Sequence, residues 1–232
     1  MDVTVEGSYV LIAKMSPLLY DLVIDTAKKS TSHGMASYPL YHTQYETFDM
    51  VKNFIDVNFE AHEAIARMIA SLTLRLSQTS LLPFNPVGYY RALSNVLKNT
   101  MNNISIEANF TNLQNAVEDF KRIAEKFNAR VTNIDKKKYT QVIDLRMNDQ
   151  LLQLERAFIN PLGNSVDRPD LKHIVYGPSR NNKYGAKGFP VIADSIEDRN
   201  LDNIRREIAY VTYFVRSAIS VLQETTIFQT TA

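Results

Sequence analysis

The stretch TNLQNAVEDFKRIAEKFNARVTNI, residues 111–134, carries the clearest structural pattern in this chain. Its apolar residues recur at alternating steps of four and three: Leu113, Val117, Phe120, Ala124, Phe127, Val131 and Ile134. That spacing places one apolar stripe along an α-helix, and such a helix buries its stripe against a core. Thr111 and Gln114 have the pattern of a capping box, which predicts that the helix starts at Thr111.

Three other segments show the same spacing. One stripe lies near the end of the chain, at Ile204, Ile208, Val211, Val215, Ala218 and Leu222. The others are Met147, Leu151, Leu154 and Phe158, ended by Asn160-Pro161-Leu162-Gly163, and Ile65, Ile69, Leu72 and Leu76. A further helix is predicted to begin at Asn85-Pro86. Four amphipathic helices predict a bundle, and hence a mostly α fold.

The first part of the chain has a different pattern. Residues 9–13, YVLIA, form a short apolar run typical of a buried strand. Ser16-Pro17 is an N-cap with proline in the first turn, so a helix is predicted from Pro17 to about Lys29. STSHGMAS, residues 30–37, ends it. A strand followed by a helix predicts a small α/β piece ahead of the bundle.

The segment from Pro161 to Pro190 is rich in Gly, Pro and Asn and is too long for an ordinary connection between bundle helices. Loops of that length are usually functional or disordered. This one contains Lys183 and Tyr184, within SRNNKYGAKGF at 179–189. A lysine beside a tyrosine in a glycine-rich loop can hold a carboxylate. The chemistry alone favours a solvated loop and leaves carboxylate binding open.

Composition argues against several partners. With 26 basic and 25 acidic side chains the net charge is +1, which predicts binding neither to nucleic acid nor to an anionic membrane surface. The apolar stretches are shorter than the roughly 20 residues that span a bilayer, so the chain as given is predicted to be soluble.

Cysteine is absent, which excludes disulfides and thiolate metal sites. Asn103 and Asn109 begin glycosylation sequons, a weak pattern in an Asn-rich chain.

The four histidines have different surroundings in the sequence. His62 precedes a glutamate, as in the helical zinc motif, but the second histidine four residues later is missing, so His62 is predicted to be a surface or partly packed residue. His33 and His173 have no carboxylate or histidine at a useful spacing and are predicted to be structural. His42 lies among tyrosines in SYPLYHTQYETF, residues 37–48. Spacing leaves a metal ligand, a proton carrier and a packed side chain open.

Three stretches together resemble successive signature segments of the glutamate carboxypeptidase II and transferrin receptor family. They are SYPLYHTQYETF at 37–48, LRMNDQLLQLERAFINPLG at 145–163 and LKHIVYGPSRNNKYGAKGFP at 171–190. The resemblance implies part of a type II membrane protein, on its extracellular or luminal side, with a zinc-peptidase domain and a helical domain that pairs two subunits. Residues 1–79 are then predicted to be a distal piece of the peptidase domain and 80–232 the helical dimerisation domain.

The resemblance also implies roles for five residues. Catalytic relatives use two zinc ions and remove C-terminal glutamate from peptides, or act as related peptidases. His42 falls on the family's last zinc-ligand histidine, and Asp2 on a zinc-ligating aspartate. Tyr41 falls on a tyrosine that touches the bound substrate. Lys183 and Tyr184 fall on the lysine and tyrosine that receive the carboxylates of a C-terminal glutamate.

The chain also departs from the family pattern. The first zinc histidine, the bridging aspartate and the glutamate pair that includes the general base have no counterpart, and STSHGMAS replaces several dozen residues ahead of PLYH. Two ligands, assigned to different metals, are too few for a two-zinc site. The chain is therefore predicted to be a C-terminal fragment of a zinc peptidase that is inactive by itself and forms a homodimer. The alternative is a non-catalytic dimerisation or receptor module of the transferrin receptor type.

Overall fold

The computed structural model describes residues 40, 42–104, 108–133, 141–163, 168–178, 180 and 186–223, with only the backbone described at 141–144 and 186–187. These residues fall into two compact units that divide between Pro83 and Phe84. Helices dominate the described chain, which confirms the mostly α fold. The strand predicted at 9–13 and the helix predicted from Pro17 lie outside the described residues. No described helix is both long and apolar enough to cross a bilayer.

In the first unit, the described chain forms a short helix and a long one. Helix α1 spans Phe48–Met50 and runs into a π-helical turn at Val51–Ile55. Helix α2 spans Glu60–Gln78 and carries the predicted stripe from Ile65 to Leu76. None of its residues is buried, and Ile69 is 42% exposed, so the prediction that this stripe faces a core is wrong. A helix buries its stripe only where another element packs against it.

Asp56 fixes the start of α2. Its carboxylate accepts the N–H groups of Ala61 and His62 at 3.3 and 3.0 Å, and Nδ1 of His62 lies 2.6 Å from the same carboxylate. The hydrogen bond from the His62 side chain lowers the pKa of Asp56 below its ordinary 3.8, burial opposes this, and the two backbone bonds add to the lowering. The His62 side chain is 50% exposed, as expected for a partly packed helical residue.

The second unit is a helical bundle with one β-hairpin among its described residues. Its helices are α3 Pro86–Asn102, α4 Thr111–Thr132, α5 Gln141–Arg156, α6 Pro190–Glu197 and α7 Leu201–Leu222. Its strands are β1 Tyr176–Pro178 and β2 Ala186–Gly188, which pair antiparallel with Tyr176 opposite Gly188. Helix α7 packs against α4, α5 and α6, and α4 packs against α3.

The core of this unit is built from three predicted stripes. All six residues of the α7 stripe are buried, as are the α4 residues Leu113, Val117, Phe120, Ala124 and Phe127. On the third stripe, Met147, Leu151, Leu154 and Phe158 are all buried. Burial of one such side chain contributes roughly 1.5–3 kcal/mol, so the stripes dominate the stability of the bundle. For these helices the prediction of a buried stripe is confirmed, except that Val131 is only half-buried and Ile134 lies outside the described residues.

Helix ends confirm one capping prediction and correct another. Asn85 caps α3 as predicted, because its side chain accepts the N–H of Val87 at 2.9 Å and Pro86 opens the first turn. The capping box at Thr111 is wrong, since the cap position of α4 is Phe110 and no side chain caps it. Asn109 accepts the N–H of Thr111 at 2.9 Å instead, and this local bond leaves Thr111 as the first helical residue.

The segment after α5 is folded where it is described. Helix α5 ends at Arg156, four residues before the predicted stop, and Ile159 then pairs with His173 as an isolated antiparallel bridge. Gly163 has φ +82°, and a Cβ there would lie 2.5 Å from the carbonyl oxygen of Pro169, so only glycine fits this turn. The chain then returns through β1 and β2 to α6.

Candidate functional site

Of the five residues to which the family resemblance gives a role, one lies in the part of the chain that the structure describes. Asp2, Tyr41, Lys183 and Tyr184 lie outside the described residues. His42 is described, and it is exposed, with a left-handed backbone at φ 61°. Its backbone N–H donates to Oε2 of Glu46 at 2.9 Å, which closes a tight turn. The ligand role of His42 therefore stays a prediction.

The described side chains do not by themselves make a metal centre. Across the ranges that the structure describes, no three His, Cys, Asp or Glu side chains converge to hold an ion. His62 is bonded to Asp56, and His173 to Glu155, so these two histidines are held by carboxylates. The described residues by themselves thus do not fit a zinc ion.

The β-hairpin brackets the predicted carboxylate-binding pair. Strand β1 ends at Pro178 and strand β2 begins at Ala186, so Lys183 and Tyr184 lie between the two strands in the sequence. The hairpin lies directly on α3, because a Cβ on Gly188 would fall 2.2 Å from the side chain of Val96. The fully buried Phe189 follows, and its N–H donates to the carbonyl of Val175 at 3.1 Å. The strand ends are therefore fixed to the bundle.

A buried ion pair fastens the first strand of the hairpin. Arg168 donates to Oδ2 of Asp194 on α6 at 2.8 Å and to the carbonyl of Pro178 at 2.7 Å. Asp194 is 4% exposed, so this pair is shielded from water. One guanidinium thus links the end of β1 to α6 by two charge-assisted bonds.

A second arginine lies just beyond the end of β1. Arg180 donates to both carboxylate oxygens of Asp198 at 2.7 and 3.1 Å, a bidentate contact. This hydrogen bonding lowers the pKa of Asp198 below its ordinary 3.8. The Nε of Arg180 is also 3.8 Å from Asp194. Arg168 and Arg180 therefore hold the first strand on α6 from both sides of Pro178.

His173 organises the turn that leads into the hairpin. Its Nδ1 accepts the N–H groups of Val175 and Tyr176 at 3.1 and 3.0 Å. Since Nδ1 is an acceptor, the ring proton is assigned to Nε2, which lies 3.0 Å from Oε1 of Glu155. The hydroxyl of Tyr89 lies 3.3 Å from the same Nε2. The structural role predicted for His173 is confirmed, but its carboxylate partner was missed.

Aromatic rings and charge surround this histidine. Tyr89 stacks on Phe158 with ring centroids 4.7 Å apart, and His173 contacts both Phe158 and Tyr176. Burial alone would raise the pKa of Glu155, but the hydrogen bonds of His173 and Tyr89 lower it below the ordinary 4.5. Burial and then the charge of Glu155 raise the pKa of Tyr176. At neutral pH the cluster thus holds an ionised Glu155 beside a neutral Tyr176.

Sequence reasoning missed the partners of these charged residues because they lie far apart along the chain. His173 and Glu155 are 18 residues apart, and Arg168 and Asp194 are 26 apart. Neither pair lies within one helix or one strand, so no local period relates its two members. The only sequence signal for these ion pairs was indirect: the long segment rich in Gly and Pro carries isolated charged residues.

Comparison with known proteins places this chain among its relatives. Residues 108–223, half of the chain, match the transferrin receptor-like dimerisation domain. The matched range begins just before α4 and ends at the close of α7. The chain belongs to this family.

Members of the wider family are similar to it over most of its length. It is 29% identical to a probable glutamate carboxypeptidase, LAMP1, of Arabidopsis thaliana over 80% of the chain, and 30% identical to the rat aminopeptidase NAALADL1 over 82%. It is 24% identical to a Caenorhabditis elegans glutamate carboxypeptidase 2 homolog over 81%. The chain spans 28%, 27% and 28% of the lengths of these three relatives. The family resemblance expected from sequence is confirmed.

Proposed function

We propose that this chain is the homodimerising part of a glutamate carboxypeptidase-like zinc peptidase. The observation that carries the proposal is the match of residues 108–223 to a dimerisation domain, because that range covers α4, α5, α6 and α7 of the described bundle. The proposed domains are 1–79, from the peptidase part, and 80–232. The division of the described residues between Pro83 and Phe84 supports a boundary close to this.

In an intact enzyme we assign five residues to the site. Asp2 and His42 would be zinc ligands, Tyr41 would touch the substrate, and Lys183 with Tyr184 would receive the carboxylates of a C-terminal glutamate. Arg168 and Arg180 support the assignment of Lys183 and Tyr184, because they hold the end of β1, the strand that precedes these two residues, on α6. Zinc in such a site would supply an activated water. The proposed location is the extracellular or luminal side of a membrane.

The 232-residue chain by itself should not hydrolyse peptides. Only two of the family's ligand positions have counterparts in it, and the general base has none, so a bridging water would lack both its metals and its proton acceptor. We expect no release of glutamate from an acidic dipeptide with added zinc, and weak, non-stoichiometric zinc binding by calorimetry. Turnover that a chelator abolishes would overturn this part of the proposal.

Sedimentation velocity over a range of concentrations tests the dimer. The expected result is a monomer–dimer equilibrium or a stable dimer, and a species that stays monomeric at all concentrations would contradict the proposal. Co-sedimentation with a full-length peptidase relative would instead favour the second candidate, a non-catalytic pairing module. The same dimerisation-domain match motivates that candidate.

A further inference from the structure

The connection between α3 and α4 carries two asparagine sequons. It comprises residues 103–110, since α3 ends at Asn102 and α4 begins at Thr111. The sequons are Asn103-Ile104-Ser105 and Asn109-Phe110-Thr111, and each has the pattern of an N-glycosylation acceptor. Such a pattern arises easily by chance in an Asn-rich chain, so the placement of the side chains decides whether a sugar fits.

The second sequon is described in full, and its local fold suits an acceptor. Phe110, its middle residue, is 5% exposed and belongs to the core of the unit. The carbonyl of Phe110 accepts the N–H of Gln114 at 2.8 Å in the first turn of α4. Asn109 and Thr111, on either side of Phe110, are both exposed. The buried phenylalanine therefore anchors the sequon while the asparagine and the threonine stay accessible from solvent.

The side-chain amide of Asn109 has a fixed orientation. Its Oδ1 accepts the N–H of Thr111 at 2.9 Å. Only the oxygen of an amide side chain can accept, so this bond assigns the two ends of the amide. Nδ2, the atom to which a glycan is attached, is thereby directed away from the backbone N–H. Within the part of the chain that the structure describes, this Nδ2 makes no hydrogen bond that a sugar would have to break.

We infer that Asn109 is the acceptor of an N-linked glycan, an inference that rests on the proposed extracellular or luminal location. In the transfer, Nδ2 of Asn109 forms a bond to the anomeric carbon of an oligosaccharide that is carried on a lipid diphosphate. The bond from that carbon to the phosphate oxygen breaks, the lipid diphosphate leaves, and one Nδ2 proton passes to a base of the transferase. Oδ1 keeps its bond to Thr111, so the turn survives the modification.

Secretion of the full chain behind a cleavable signal peptide tests this acceptor. The chain is produced in eukaryotic cells together with a secreted reporter glycoprotein, which shows that the cells attach glycans. An amidase that releases N-glycans converts each glycosylated Asn to Asp, and mass spectrometry of the peptides then identifies the modified positions. We expect the intact chain to lose mass on amidase treatment and Asn109 to be converted to Asp.

Matched variants separate the sequon from the fold around it. Asn109→Gln removes the acceptor, and Thr111→Val removes the sequon hydroxyl but keeps the shape of the side chain. Both are expected to abolish modification at position 109. Thr111→Ser keeps the hydroxyl and should keep the glycan. Asn112→Gln is the control, because Asn112 is exposed beside the sequon and begins none itself. This control and Asn103→Gln should both retain the glycan on Asn109.

Failure at Asn109 can be told apart from failure of the proposed function. The signal peptide supplies entry into the lumen, so a wrong location for the parent protein would not change the result. A secreted chain whose Asn109 stays unmodified, while the reporter carries its glycans, overturns the acceptor assignment and leaves the proposed dimerisation as it stands. A glycan on Asn103 alone overturns the assignment as well.

Discussion

At the scale of single residues, His173 performs two tasks with its two ring nitrogens. Nδ1 accepts two backbone N–H groups of the turn into β1, and Nε2 faces Glu155. Val175, one of the two donors to Nδ1, is fully buried. A buried N–H that loses its acceptor costs about 1–3 kcal/mol, whereas a half-exposed carboxylate that loses its partner can turn to water. The Nδ1 bonds should therefore matter more.

Two variants separate these tasks. His173→Asn places a side-chain oxygen near the position of Nδ1 and keeps the turn, whereas His173→Gln keeps a donor toward Glu155 and leaves the backbone groups without an acceptor. We expect His173→Asn to lower the free energy of unfolding by about 1 kcal/mol and His173→Gln by about 2–3 kcal/mol. Urea denaturation measures both. The reverse order would show that the Glu155 contact dominates.

At the scale of elements, the hairpin depends on two ion pairs of different exposure. Arg168 and Asp194 form a buried pair, whereas Arg180 and Asp198 are 38% and 45% exposed. Removal of one partner from a buried pair leaves an uncompensated charge, while an exposed pair contributes little because water screens it. Arg168 also holds the carbonyl of Pro178 at the end of β1. The attachment of the hairpin to α6 should therefore rest mainly on Arg168.

Matched alanine substitutions test this difference. Arg168→Ala should lower the free energy of unfolding by about 3 kcal/mol and speed amide exchange in β1, because Asp194 loses its close partner. Arg180→Ala should cost about 1 kcal/mol or less. Urea denaturation with hydrogen exchange provides the measurement. Equal losses for the two variants would contradict the assigned roles.

At the scale of the whole molecule, carboxylates in the second unit respond to pH in opposite directions. The pKa of Glu155 and that of Asp198 are lowered in the folded state, so both stabilise the fold above their ordinary values of 4.5 and 3.8. That contribution disappears as pH falls through the lowered values. Burial raises the pKa of Glu207, so its contribution is largest below its ordinary 4.5 and declines as pH rises through the folded value.

These signs predict the pH dependence of stability in dilute, monomeric samples. The free energy of unfolding of the second unit should fall below about pH 4 as Glu155 and Asp198 take up protons. Glu207→Gln should raise stability near neutral pH and leave the acid side unchanged, because it removes only the buried charge. Urea denaturation across the pH range checks both. A neutral-pH loss in the Gln variant would show that Glu207 stabilises the monomer.

The sequence by itself determined the helices whose signal is local. The stripes of α4, α5 and α7 could be predicted because a helical turn repeats every 3.6 residues along the sequence. Asn85-Pro86 predicted a helix start because capping involves neighbouring residues. The family, too, followed from contiguous motifs, and the matched range confirms it. The roles of Asp2, Tyr41, His42, Lys183 and Tyr184 stay predictions that rest on that resemblance.

Only the tertiary structure decided which of these patterns are buried and which charges meet. The stripe on α2 is as periodic as the others but is not buried, because periodicity describes one face and burial needs a second surface. The Thr111 capping box failed because the N–H of Gln114, which Thr111 would have accepted, donates to the carbonyl of Phe110 at 2.8 Å. The pairs of His173 with Glu155 and of Arg168 with Asp194 depend on how distant segments pack. No local spacing encodes that arrangement.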